Sequence, residues 1–248
     1  MNPGLTAGEA LGNRFLLVEA SGLEGADPSS LSRERCGDRD GLLVMGSEGP
    51  EARTVEIWNR DGSAGGACLN GLRVAALWLG GEEGAFLMAG HRVDWRRIGQ
   101  EVELRIPASS LPATKDFEVL QVSGLDGLRI PFWNPHAVFA VDDSDAVDLG
   151  ALAAETRCLN HLFPDGVNVE IVGPETDGRV SARVDERGVG ETGSCGSGAV
   201  AILLAAGARG FSGPLQVAMR GGILTLEGGP AGWISLRGGA AVGAEASP

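Results

Sequence analysis

Apolar and polar residues alternate over short stretches along most of the chain, a pattern that predicts many short strands and few helices. The clearest example is 54–58, where Val55 and Ile57 alternate with Thr54 and Glu56. The predicted strands cover residues 14–20, 42–45, 54–58, 86–88, 92–95, 102–106, 117–122, 128–131, 137–141, 167–172, 179–185, 215–219, 223–227 and 233–236.

More continuous apolar segments predict helices at 72–79, 149–158 and 199–206, and residues 33–41 predict a charged turn. After a polar, proline-bearing stretch at 107–115, the order of predicted elements restarts. We therefore expect an N-terminal lobe, a C-terminal lobe and a short last segment, with the bounds 1–115, 116–236 and 237–248.

Two cysteines each stand between a glycine-rich loop and a predicted helix. Cys68 precedes the first predicted helix and Cys195 precedes the third, 127 residues further along the chain. Asn13 and Asn134, which each lead into a predicted strand, lie 121 residues apart. Such near-equal spacings are expected from duplicated halves of an α+β fold.

The start of a helix is a chemically active place for a cysteine. Backbone N–H groups of the first turn lack partners within the helix, and the helix dipole is positive there. This environment lowers the pKa of a thiol and binds an anion such as a carboxylate. Two thiols, each beside a helix start that can bind a carboxylate, predict acid/base chemistry on an amino acid.

Composition narrows the class of protein. The chain has 248 residues, 43% of them hydrophobic, and a net charge of −13, which indicates a globular protein that binds neither nucleic acid nor an anionic membrane. No apolar segment follows a basic start and none is long enough to span a membrane, so a cytoplasmic location is expected. Four cysteines without a close Cys/His cluster predict neither a disulfide framework nor a metal site.

The two cysteine segments resemble the two cysteine motifs of the diaminopimelate epimerases. The first reads Asn59-x-Asp61-Gly62-Ser63-x4-Cys68-x-Asn70-Gly71-x-Arg73, and the second reads Glu186-Arg187-Gly188-x-Gly190-Glu191-Thr192-x-x-Cys195-Gly196-Ser197-Gly198. Three further anchors are Leu11-Gly12-Asn13-x-Phe15, Asn134-Pro135-His136 and Phe163-Pro164-x-x-Val167-Asn168. All five anchors occur in family order and span most of the chain, so the sequence is identified as a member of this family.

The resemblance implies a fold and a mechanism. The fold would be two pseudo-symmetric lobes, each a central helix wrapped by mostly antiparallel strands, with the active site in the cleft between them and the last segment returning to the first lobe. The reaction would convert LL-diaminopimelate to meso-diaminopimelate through a thiolate base and a thiol acid. It would need no pyridoxal phosphate or other cofactor and no metal. A small-molecule amino acid would be the substrate, and the protein would form a homodimer.

The resemblance also implies roles for individual residues. Cys68 and Cys195 would be catalytic, and His136 and Glu186 would tune the pKa values of the thiols. The implied substrate-binding residues are Asn13, Asn59, Leu69, Asn70, Asn134, Asn168, Glu186, Arg187, Gly196 and Ser197. Arg187 would hold the distal carboxylate, for which a guanidinium fork is suited, and Glu186 would receive the distal ammonium.

Several positions depart from the family pattern. Leu69 replaces a glycine after the first cysteine, and a leucine there would be strained if the backbone required a positive φ. The usual Gly-x-Gly-Ala-Asp loop becomes Gly37-Asp38-Arg39-Asp40-Gly41, and Arg14 replaces an aspartate. The chain contains no tyrosine, so a tyrosine linked to dimerisation in the family is absent. These changes bear on the substrate and the dimer more than on the two thiols.

Three alternatives remain open at this point. The protein could racemise another amino acid on the same scaffold. It could be a cysteine hydrolase, which needs a histidine beside the nucleophile; only His91, His136 and His161 are present, and a hydrolase leaves the second cysteine unexplained. It could also bind an amino acid without catalysis, since fold alone does not establish activity.

Overall fold

The computed structural model describes residues 4–49, 52–228 and 232–245, which form a mixed α+β fold as predicted. The described helices are α1 (Pro28–Arg35), α2 (Leu69–Leu79), α3 (Leu149–Arg157) and α4 (Gly196–Ala208). The described strands are β1 (Thr6–Ala10), β2 (Asn13–Glu19), β3 (Gly41–Glu48), β4 (Arg53–Asn59), β5 (Glu83–Met88), β6 (His91–Ile98), β7 (Glu101–Ile106), β8 (Glu118–Val122), β9 (Leu125–Phe132), β10 (Asn134–Ala140), β11 (Asn168–Val172), β12 (Arg179–Glu186), β13 (Gly190–Thr192), β14 (Leu215–Met219), β15 (Gly222–Gly228), β16 (Ile234–Gly239) and β17 (Ala241–Glu245).

The chain divides into two compact units. The described residues up to Pro107 and from Arg237 onward form the first unit, and those between Ala108 and Leu236 form the second. The division falls at the start of the polar stretch 107–115. Within the first unit, β17 pairs antiparallel with β1. Of the last predicted segment, 237–248, the final three residues lie outside the described residues.

Both units repeat one order of strand pairing. In the first unit, β2 is antiparallel to β1 and parallel to β3, β3 is antiparallel to β4, and β4 is parallel to β5. In the second unit, β10 is antiparallel to β9 and parallel to β11, β11 is antiparallel to β12, and β12 is parallel to β14. The repeated order is that of an internal duplication, in which α2 corresponds to α4.

A buried helix lies at the centre of each unit. In α2, residues 69–76 are all buried, and the helix packs against β1, β2, β3, β5, β6, β7 and β17. In α4, nine of the thirteen residues are buried, and the helix packs against β9, β10, β11 and β15. A helix that is apolar around its whole circumference is stable only when it is surrounded. Gly80 ends α2 in the left-handed conformation (φ 75°), as expected for a helix C-terminus.

The structure differs from the predicted helices at two kinds of position. Both central helices begin three residues earlier than predicted, at Leu69 and Gly196, because a cysteine caps each of them. The predicted charged turn at 33–41 is wrong at its start, because α1 continues to Arg35. Asp27 accepts hydrogen bonds from the N–H groups of Ser29 and Ser30, and proline occupies the first turn, so α1 has the sequence of a helix start.

Candidate active site

The first cysteine begins α2. Cys68 has an extended backbone (φ −132°, ψ 94°), and its Sγ accepts a hydrogen bond from the Gly71 N–H at 3.3 Å. The Cys68 N–H donates to Met88 Sδ at 3.1 Å. A Cβ at Gly71 would lie 2.9 Å from Leu43 Cδ2 and 3.3 Å from Cys68 Sγ. A larger residue at this position would therefore press on the Leu43 side chain and on the cysteine sulfur.

The departure at Leu69 is accommodated without strain. Leu69 is the first residue of α2 and is not among the described residues with a positive φ. Its side chain is buried, with 1% of its surface exposed. Because its backbone needs no positive φ and its side chain is buried, a leucine is tolerated where the family has glycine.

Asparagines join the helix start to the hairpin between β1 and β2. Asn70 Nδ2 donates to Asn13 Oδ1, and Asn13 Nδ2 donates to Asp40 Oδ2 at 3.4 Å. Asn13 follows a turn in which Leu11 (φ 51°) and Gly12 (φ 89°) are both left-handed, the conformation of a tight two-residue hairpin. The altered loop 37–41 thus still supplies a carboxylate that orients Asn13.

Asn59 ends β4, at the entrance to the first cysteine loop. Its Nδ2 donates to Ser63 Oγ at 3.0 Å, and its backbone N–H donates to the Ser63 carbonyl at 2.9 Å. Ser63 in turn donates from its N–H and Oγ to Asp61 Oδ1, at 2.8 and 2.6 Å. This closed turn fixes the Asn59 amide.

The second cysteine begins α4 with the same geometry. Cys195 is extended (φ −136°, ψ 117°), and its Sγ accepts from the Gly198 N–H at 3.3 Å and lies 3.4 Å from Ser197 Oγ. The Cys195 N–H donates to Met219 Sδ at 3.4 Å. A Cβ at Gly198 would lie 2.7 Å from Glu170 Oε1. Gly196 is the first residue of this helix and Gly198 its third, so the cap again depends on glycine.

Three ionisable side chains surround the start of α4. His136 Nδ1 and Glu170 Oε1 lie 2.7 Å apart, and both side chains are fully buried. The Glu186 carboxylate accepts from Thr192 Oγ1 at 2.5 Å and is hydrogen bonded to the Cys195 thiol. Burial raises the pKa of Glu186, and the nearby charge of Glu170 raises it further.

The pKa of the Cys195 thiol is raised, whereas a helix start by itself would lower it. Burial raises its pKa well above the ordinary value, and the negative charges of Glu186 and Glu170 raise it further. The hydrogen bonds from Ser197 and Gly198 act in the other direction but are weaker. Because desolvation and two carboxylates outweigh the helix start, Cys195 is held as a neutral thiol at neutral pH.

Glu170 is a site residue that the sequence analysis missed. It lies in β11, where all five residues are buried and the other four are Asn168 and three valine or isoleucine residues. A carboxylate in such a strand is rare unless it is paired. That isolated acidic residue, inside the predicted strand 167–172, was the signal available in the sequence.

Asn168 and Arg187, which the resemblance assigns to substrate binding, are held by hydrogen bonds that involve backbone atoms. Asn168 Oδ1 accepts from the Arg187 N–H at 2.8 Å, and Arg187 Nη1 donates to the Asp165 carbonyl at 2.6 Å. Gly166 is left-handed (φ 81°), and a Cβ there would lie 2.8 Å from Arg187 Cδ. Asn134 begins β10 directly after Trp133, which has the uncommon φ of 43°.

The predicted site residues divide between the units. The first unit holds Asn13, Asn59, Cys68, Leu69 and Asn70, and the second holds Asn134, His136, Asn168, Glu186, Arg187, Cys195, Gly196 and Ser197. Within the described ranges, no group of three or more His, Cys, Asp or Glu side chains could hold a metal ion. All four cysteines are described, and none forms a disulfide. No helix in the described part of the chain combines the length and apolar character that crossing a membrane requires.

Comparison with known proteins gives consistent matches. The family model described as diaminopimelate epimerase matches residues 133–242. The diaminopimelate epimerase of Zymomonas mobilis subsp. mobilis is 33% identical over 254 residues, covering 92% of this chain and 90% of that protein. That of Methylocella silvestris is 34% identical over 251 residues, covering 87% and 84%. A phenazine biosynthesis protein of the PhzF family from Enterococcus faecalis has the same fold, with a TM-score of 0.71, 16% identity and complete coverage of both chains.

The contact between Gly198 and Glu170 can be tested by Gly198→Ala. The new Cβ would lie closer to Glu170 Oε1 than real contacts allow, so we expect a loss of about 1–3 kcal/mol in the free energy of unfolding. Gly207→Ala in the same helix is the matched control, because its Cβ meets nothing within 4 Å. That variant should gain up to about 1 kcal/mol. Urea denaturation measures both, and equal effects would contradict this reading of the cap.

The influence of Glu186 on Cys195 can be tested by Glu186→Gln. At the alkaline pH where the thiol titrates, the glutamate is ionised and opposes a second negative charge. Removing it should lower the pKa of Cys195 by about one unit, measured from the NMR shift of the Cys195 Cβ carbon against pH. Glu191→Gln is the control, because that carboxylate pairs with Arg183 and Arg220. An unchanged or raised pKa in Glu186→Gln would refute the assignment.

Proposed function

This chain belongs to the diaminopimelate epimerase family, and we propose that it converts LL-diaminopimelate to meso-diaminopimelate by proton transfer between its two cysteines. The observation that carries this proposal is the repeated helix start. Cys68 Sγ and Cys195 Sγ each accept a hydrogen bond from the N–H group three residues on, at 3.3 Å in both units. Inversion of one carbon requires a proton acceptor and a proton donor, and the duplicated units supply one thiol for each role.

The chemistry calls for a base and an acid on opposite faces of the substrate. The α-hydrogen of an amino acid is a very weak acid, so its removal needs a base and stabilisation of the negative charge that develops. We propose that Cys68 and Cys195 bracket the α-carbon from its two faces. The N–H groups of the first turns of α2 and α4 then bind the α-carboxylate and stabilise the enolate-like charge. No step of this scheme uses a cofactor.

The resting protonation of Cys195 gives the two thiols different roles. The raised pKa of Cys195 makes it the proton donor in the resting protein. We therefore assign the base to Cys68 for the stereoisomer whose α-hydrogen faces it. After one turnover the roles are reversed, and Glu186 and Glu170 favour return of a proton to Cys195. His136 Nδ1 lies within hydrogen-bond distance of Glu170 Oε1, which orients that carboxylate.

A second amino-acid head would explain the polar residues away from the cysteines. Arg187 is exposed, and one of its terminal nitrogens binds the Asp165 carbonyl, which orients the guanidinium. We propose that its other N–H groups bind the distal carboxylate and that Glu186 receives the distal ammonium. Asn13, Asn59, Asn134 and Asn168 would complete the distal pocket. Leu69, Asn70, Gly196 and Ser197, which follow the two cysteines, would bind the substrate at the helix starts.

We also propose a cytoplasmic location and a homodimer. Proton transfer needs both thiols reduced, a state that the cytoplasm maintains. The homodimer rests on the family resemblance alone, and its interface would differ from one that uses a tyrosine, since this chain has none.

Exchange of the α-hydrogen tests the two-base reaction. Incubation of LL-diaminopimelate in D2O should incorporate deuterium at the inverted α-carbon. Cys68→Ser and Cys195→Ser should each bind substrate yet lose at least about 10²-fold in turnover, because serine gives no accessible anion near neutral pH. Cys36→Ser and Cys158→Ser are the matched controls and should retain turnover. Full activity of either Cys68→Ser or Cys195→Ser would overturn the mechanism.

The substrate assignment is tested by Arg187→Met. Leaving the distal carboxylate unpaired should reduce kcat/KM for diaminopimelate by the equivalent of roughly 2–5 kcal/mol. Turnover of lysine, alanine or 2-aminobutyrate, which lack that carboxylate, should be low in both proteins. Arg179→Met, an exposed substitution in the same strand β12, should leave kcat/KM unchanged. Better turnover of a monocarboxylic amino acid by the unaltered protein would instead favour a racemase of that amino acid.

A further inference from the structure

Arg73 is a buried cation that the catalytic proposal does not use. It lies in α2, five residues after Cys68, and none of its surface is exposed. Its Nε and both terminal nitrogens have no hydrogen-bond partner among the described residues. Burying an unpaired charge is costly, so a purely structural role would favour an apolar side chain here.

Two titratable groups lie near enough to Arg73 to influence its charge. Among the described residues, the titratable groups that interact with it are Cys68 and Glu101 of β7. Glu101 is already paired with Arg237 at 3.1 Å. Burial lowers the pKa of Arg73 to about 10, so the guanidinium remains charged at neutral pH. Helical side chains lean toward the helix N-terminus, which directs Arg73 toward the Cys68 end of α2.

The equivalent position of the second unit has no cation. Five residues after Cys195 stands Val200, which is also fully buried. The buried carboxylate shows the reverse difference, because it is present in the second unit and absent from the equivalent position of the first. Glu170 lies beside Gly198, and its counterpart beside Gly71 is Leu43.

The buried histidine is also found in the second unit and not at the equivalent position of the first. His136 stands opposite Asn168 on the parallel neighbouring strand, and the residue in that place in the first unit is Phe15, opposite Gly41. The duplicated units therefore share a backbone and differ in charge. A cation is buried in the helix of Cys68, and carboxylates are buried beside Cys195.

We propose that Arg73 is a positioning residue that keeps Cys68 as the thiolate in the resting protein, so that Cys68 is the base and Cys195 the acid of the first proton transfer. This inference rests on the two-base function proposed above. The electrostatic difference between the units breaks the symmetry of two otherwise equivalent helix starts. The guanidinium acts on Cys68 through its field and does not touch the substrate.

The test is the pH dependence of Cys68 alkylation by iodoacetamide, followed at that residue by peptide mass spectrometry. Cys68 is partly exposed, so the reagent reaches it. In Arg73→Met the midpoint should rise by about one pH unit or more, with a correspondingly slower reaction at neutral pH. In Arg73→Lys, which keeps the charge, the midpoint should stay near that of the unaltered protein. Arg53→Met is the control, because Arg53 pairs with Glu19 in the same unit.

Stability and activity separate this role from a structural one. Because methionine removes an unpaired buried charge at similar volume, Arg73→Met should unfold at an equal or higher urea concentration. Its kcat/KM should fall at neutral pH and recover as the pH rises. If Arg73→Met does not fold, Arg73→Gln replaces it.

An unchanged Cys68 midpoint in the neutral variant, or an equal rise in Arg73→Lys, would overturn the inference. Absence of epimerase activity in the unaltered protein would instead refute the proposed function. The alkylation result would still report on Arg73, so the two failures can be distinguished.

Discussion

The site depends on one contact made twice, a cysteine sulfur that accepts the N–H group at the third position of a buried helix. The contact needs an extended cysteine, a glycine three residues later and a methionine sulfur for the cysteine N–H. A Cβ at Gly71 would press on the Leu43 side chain, and one at Gly198 would press on Glu170 Oε1. The position of the sulfur is consequently tied to the first turn of the helix and to the packing around it.

Burial raises the free energy of a thiolate at each helix start, and the charged groups around the cysteine differ between the two units. A helix start favours a thiolate, but a desolvated thiolate beside carboxylates is disfavoured. At Cys195 the second effect is larger, since the pKa of the thiol is raised despite two hydrogen bonds to sulfur. The same environment raises the pKa of Glu186. Protons in this region are therefore distributed among interacting groups, and no single residue titrates alone.

Local sequence was sufficient to predict that a helix follows each cysteine, but neither the first residue of that helix nor its surroundings. Glycine-rich loops before apolar segments located Cys68 and Cys195 at the first turns of the two central helices. The sequence around Asp27 and Pro28 also carried a helix signal, which the charged residues that follow obscured. The pKa of Cys195 could not be predicted in this way, because its direction depends on burial and on Glu170, which reaches the helix from another strand. Arg73 belonged to a recognised motif, yet sequence cannot tell whether an arginine is exposed or buried without a partner.

A duplicated protein that inverts a carbon faces a conflict between its symmetry and its chemistry. Equivalent units give equivalent thiols, whereas proton transfer through one carbon needs a base and an acid at the same moment. Two thiols with equal pKa values would be both neutral or both ionised for much of the pH range, and neither state reacts. Differences outside the cap can resolve this conflict without disturbing its geometry. In this chain the first unit has Arg73 where the second has Val200, and the second has Glu170 where the first has Leu43. The backbone can therefore remain nearly symmetric while the charges differ, which is what the proposed proton transfer between the two thiols calls for.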